Sequence, residues 1–101
     1  MHDFDEVVRR ALDALPPELA RGLENVAVVV EEENRDEPGL LGLFEEAPYL
    51  PAKVTIYRRP LVADFGRDPQ RLEHEIRVTV LHELAHYFGI DEARLAELGY
   101  A

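Results

Sequence analysis

Residues 68–89, DPQRLEHEIRVTVLHELAHYFG, constrain the fold more than any other part of the chain. An aspartate side chain caps a helix start and proline suits the first helical position, so Asp68 and Pro69 mark a beginning. Gly89 falls where a helix runs out into left-handed backbone, so it marks an end. Between them, Leu72, Ile76, Val80 and Glu83 follow one helical row, and Val78, Leu81, Ala85 and Phe88 follow another. The pattern predicts one helix of about twenty residues, roughly 30 Å long. Whatever else the chain builds must pack against that rod.

The remaining segments are short. Residues 3–15 place Phe4, Val7, Val8, Ala11, Leu12 and Leu15 on one helical face, with Asp3 as a cap. Pro16–Pro17 should end that helix. PPELARGL reads as a brief second helical turn closed by Gly22. VAVVVEE, residues 26–32, is β-branched and apolar on both faces, which predicts a central strand. LLGLFEE, 40–46, is a second strand candidate; Gly42 weakens it or marks an edge, where a second backbone can approach closely. APYLPA, 47–52, is a loop. KVTIYRR, 53–59, alternates and is a third strand; one helical turn is expected in PLVADFG. DEARLAEL, 91–98, predicts a last short helix capped by Asp91 and closed by Gly99.

Composition narrows the chemistry. The 101 residues are the length of one domain, 1–101, and an apolar fraction of 47% fits a globular chain. There are no cysteines, which excludes disulfides and thiolate metal sites. No apolar run is long enough to span a membrane. MHDFDEVVRR has acids where a secretory signal needs basic residues, so a cytoplasmic location is expected. A formal net charge of −10 repels phosphate backbones, so no nucleic-acid partner is expected. The basic pairs Arg9–Arg10 and Arg58–Arg59 lie near acids and are expected to be solvated or ion-paired.

Two histidines stand out on the long helix. His82 and His86 are four residues apart, so both imidazoles leave the same face and can converge on one ion. Zinc accepts imidazole nitrogen at about 2.0–2.1 Å. Glu83 is turned about 100° around the axis. That angle disfavours direct ligation beside His82 but lets the carboxylate reach a water on the open side of the ion. His-Glu-x-x-His therefore has a mechanism behind it: two ligands and a general base on one turn. A helix of this kind supplies only two ligands, and a catalytic zinc needs a third. Gly89 lets the chain reverse, which makes Asp91 and Glu92 the candidates.

HELAHYFGIDE resembles the His-Glu-x-x-His-x-x-Gly signature of metzincin-type zinc peptidases. The chain as a whole resembles the small bacterial zincin-like metallopeptidase family. That likeness runs from the N-terminal helix through VAVVVEEE, KVTIYRRPL and HELAHYFGIDEARLAELGY. The resemblance implies an α+β minimal zincin, with a small mixed sheet of three or four strands packed against the active-site helix. It implies Zn²⁺ held by His82, His86 and Glu92, with Asp91 as the rival third ligand, and Glu83 as general base. The substrate it implies is a peptide or protein. Two features depart from the metzincin pattern. The only methionine is Met1, so a methionine-containing turn under the metal has no counterpart. Little chain follows Glu92, so a shallow cleft is expected. Tyr100 is within reach of an oxyanion role, but packing is the simpler reading. A non-catalytic zincin-shaped module that binds metal or peptide is the alternative. A metal-dependent ribonuclease is a third reading, disfavoured by the acidic surface and by the lack of a histidine after Gly89.

Overall fold

The computed structural model describes residues 3–46 and 52–99, with all of their side chains except those of Glu18, His86, Tyr87 and Phe88. Residues 47–51 of the predicted loop 47–52, and Tyr100, lie outside the described residues, while Ala52 opens β3. The elements are α1 (Phe4–Asp13), α2 (Pro17–Ala20), a 3₁₀ turn (Arg21–Leu23), β1 (Val26–Glu31), β2 (Gly42–Glu45), β3 (Ala52–Tyr57), α3 (Arg58–Phe65), α4 (Pro69–Phe88) and α5 (Glu92–Glu97). The architecture is the expected α+β one. A mixed three-stranded sheet in the order β1-β3-β2 packs against helices. β1 runs parallel to β3, and β2 antiparallel to it.

The order corrects one expectation. β1 is an edge strand and β3 is central. β1 looks central in sequence because its valines are continuous. In the fold, Val26, Val28 and Val30 pack on the core while the alternate Ala27 is exposed. β3 has a neighbour on each side, and its Val54, Thr55, Ile56 and Tyr57 are all buried. Apolar content shows that a strand's faces are covered, but not whether neighbours flank it on one edge or on both.

Two boundaries also move. β3 stops at Tyr57, and Arg58 and Arg59 open α3, which runs for 8 residues rather than one turn. Pro60 stands in the first turn of α3, where its missing N–H costs nothing. The Arg59 N–H donates to the Glu32 carbonyl at 2.9 Å, and Arg58 Nη2 meets Glu32 Oε2 at 2.7 Å. The end of β1 is thus tied to the start of α3. Gly22 does not terminate α2; it sits inside the 3₁₀ turn, without a positive φ.

The core has two parts. Val7, Val8 and Ala11 of α1, Val54 and Ile56 of β3, Leu61 of α3 and Leu72, Ile76, Val80 and Leu84 of α4 form the larger. Leu15, Leu19, Leu81, Ala85 and Leu95 form the smaller, which docks α5 onto the C-terminal half of α4. The predicted row on α4 therefore ends at Leu84, not Glu83. Glu83 is left free to face elsewhere. Both basic pairs are ion-paired: Arg9 with Glu6, Arg10 with Glu73, Arg58 with Glu32, and Arg59 with Glu32 and Glu33. Among the described residues no helix is long and apolar enough to cross a membrane.

Candidate active site on helix α4

Local chemistry sets the two ends of α4 as the sequence predicts. Asp68 Oδ1 accepts from the Gln70 N–H at 3.0 Å and from the Arg71 N–H at 3.4 Å. Pro69 occupies the first turn. At the other end Gly89 adopts φ 70°, ψ 25°, and its N–H and that of Ile90 both reach the Ala85 carbonyl. That left-handed turn costs a residue with a side chain about 1 kcal/mol or more, and glycine almost nothing.

One face of α4 borders an open cleft of about 480 Å³. Its helical wall is Glu75, Val78, Thr79, His82 and Glu83; the facing wall is Glu37 and the run from Gly39 to Gly42, which leads into β2. His82 and Glu83, both half-buried, thus open onto the same space. His86 lies one turn further along α4, and its side chain is outside the described residues. Asp91 caps α5, with Oδ1 accepting from the Arg94 N–H at 2.8 Å. Glu92 is the first residue of α5 and is exposed.

Among the described residues no group of three or more His, Asp or Glu side chains gathers as a metal site. The ligand set read from the sequence needs His86. The chemistry of the cleft does suit a cation. The lining carries one imidazole and the carboxylates of Glu37, Glu75 and Glu83, with no lysine or arginine among them. Imidazole nitrogen with carboxylate oxygen is a donor set that zinc accepts. His82, His86 and a carboxylate after Gly89 are donors of these kinds; of that set His82 lines the cleft, while Asp91 and Glu92 are not among its described lining residues.

The sequence reading missed Glu75, Val78 and Thr79 as part of this face. They precede His82 by seven, four and three residues, so helical spacing could have found them. It also misplaced the role of Gly42. Edge position was expected and is observed. The close approach that its missing side chain permits, however, is to α4: a Cβ there would lie 2.5 Å from Thr79 Cγ2 and 3.8 Å from Glu83 Cγ.

The family model for zincin-like metallopeptidases matches residues 23–100 of this chain, which takes in the sheet, the cleft and α4 and leaves out α1. No curated protein matches the chain.

Proposed function

Because the chain belongs to the zincin-like metallopeptidase family, we propose that it is a zinc-dependent peptidase, with His82, His86 and Glu92 holding Zn²⁺ and Glu83 as general base. One observation carries this reading: His82 and Glu83 open onto one cleft, walled by α4 on one side and by the approach to edge strand β2 on the other.

Zinc, when bound, supplies Lewis acidity that lets a carboxylate deprotonate water near neutral pH. The work of the chain's own residues is then simple. Glu83 Oε takes a proton from the attacking water and returns it to the departing amine nitrogen. The peptide lies extended against the outer edge of β2, where main-chain hydrogen bonding tolerates many sequences. Asp91 already spends Oδ1 on the cap of α5, whereas Glu92 stands exposed one residue later. That difference favours Glu92 as the third ligand. The substrate is a peptide or unstructured protein, and nucleic acid is not a partner. A cytoplasmic site of action belongs to the same proposal.

The deciding experiment uses Glu83→Gln, which keeps the side-chain shape and removes the basic oxygen. Turnover of fluorescein-labelled casein should fall by about a hundredfold or more. Zinc content should stay at that of the wild type. His82→Ala should lose both turnover and zinc. If neither wild type nor Glu83→Gln cleaves while both bind the casein alike, the protein is a zincin-shaped binding module and the peptidase reading fails.

A further inference from the structure

Gly42 is not a glycine for the usual reason. Among the described residues, positive φ values occur at Gly89 and Gly99, so the backbone at position 42 is open to any side chain. Glycine in a strand costs stability relative to residues that pack. Something other than conformation therefore requires it.

The requirement is space on the helix side. An ideal Cβ at position 42 would sit 2.5 Å from Thr79 Cγ2 and 3.3 Å from the Thr55 carbonyl oxygen. Carbon atoms in contact settle at about 3.5–4.0 Å, so a methyl group forces a shift of roughly 1 Å. Thr79 cannot yield easily. Its Oγ1 donates to the Glu75 carbonyl at 2.8 Å, which holds its χ1, and only 8% of the residue is exposed. Thr55 belongs to the central strand β3 and is fully buried. The movable part is β2, an edge strand of 4 residues. It would ride outward from α4.

Glu83 stands one helical turn after Thr79 on the same row and also borders Gly42, with its Cγ 3.8 Å from the Cβ position. Any outward movement of β2 therefore widens the gap at Glu83. We infer that the contact between Gly42 and Thr79 sets the separation of edge strand β2 from the Glu83 carboxylate, and so places a peptide held on that edge at reacting distance. Gly42 and Thr79 are positioning residues: they act through the strand that holds the substrate. This rests on the peptidase reading given above. Reacting atoms must approach to about 3–3.5 Å, and an error near 1 Å can cost up to a hundredfold.

The test is a double-mutant cycle on zinc-loaded protein with fluorescein-labelled casein as probe. Each variant is assayed well below its unfolding midpoint, so that lost stability alone leaves turnover per folded chain unchanged. Gly42→Ala should lower kcat per zinc-loaded chain by about tenfold or more while zinc per chain is retained. Thr79→Ser removes the offending methyl and keeps the hydroxyl that bonds Glu75. The Gly42→Ala/Thr79→Ser pair should recover to within about threefold of Thr79→Ser alone, a coupling expected only of residues in contact. If Gly42→Ala fails to fold, a folded and active pair carries the same support. Wild-type turnover by Gly42→Ala, or a pair that is inactive or no better than Gly42→Ala, overturns the inference and leaves the peptidase reading standing. A wild type with no zinc-dependent turnover overturns the peptidase reading and takes this inference with it.

Discussion

Helix α5 has six residues, and Leu95 is the one among them that is buried. A helix this short does not persist by itself in water, so its place depends on packing. Leu95 is 1% exposed and sits among Leu15, Leu19, Leu81 and Ala85. Leu95→Ala removes most of that contact. The transfer contribution of a buried leucine is about 2–3 kcal/mol, and measured Leu→Ala losses run from about 2 to 5 kcal/mol with the cavity included. Because α5 lies at the surface and can relax, the low end applies, about 2–3 kcal/mol. Urea unfolding should read that loss directly, and the melting temperature should drop by about 4 °C or more per kcal/mol. The functional consequence is sharper. In the proposed ligand set α5 supplies Glu92, so loosening the helix should weaken zinc binding by at least about tenfold, equivalent to roughly 1.4 kcal/mol, in competition with a chromogenic chelator. Leu61→Ala is the control, since Leu61 is fully buried in the other cluster, on α3. It should lose comparable stability and keep its zinc affinity. Equal zinc affinity in Leu95→Ala and wild type, despite the lost stability, would refute the argument that α5 delivers a ligand. Undiminished stability would refute the packing argument itself.

Gly89→Ala should cost about 1 kcal/mol in urea unfolding, and Gly89→Asn less. With φ at 70° and, among the described residues, nothing within 4 Å of the Cβ position, backbone strain is the cause. The Arg58 hydrogen bond, aided by the charges of Arg58 and Arg59, holds the Glu32 carboxyl below the usual glutamate range. That contribution to stability is complete above the usual range and is lost as pH falls through the lowered value. An NMR titration of Glu32 should shift upward in Arg58→Gln; an unmoved midpoint would remove the pair as its cause. With a net charge of −10, a salt-resistant RNA complex is not expected in filter binding at physiological ionic strength, and finding one would revive the ribonuclease alternative.

Helix α4 was legible because everything that defines it is local. Asp68 and Pro69 act within the first turn, Gly89 within the last, and the spacing of His82 and His86 follows from residues per turn. The short helix after Asp91 was legible for the same reason. The resemblance in HELAHYFGIDE reaches the family, and the matched span of 23–100 agrees with it over most of the chain, though not over α1.

Strand order was not legible, because apolar content says which faces are buried and nothing about which neighbour pairs. VAVVVE reads as central, yet Val28 and Val54 meet across a single pairing and, among the described residues, no strand pairs with the other edge of β1. The start of α3 at Arg58 escaped alternation because Pro60, which cannot donate to a strand ladder and suits a first helical turn, lies just past the alternating run. Gly42 shows the limit most clearly. Its sequence neighbours mark it as a weak point in a strand; only packing shows that the absent side chain faces Thr79 and Glu83 on α4. Helix caps and periodicity are short-range and survive in the sequence. The width of a cleft depends on two distant segments meeting, and it exists only once the chain has folded.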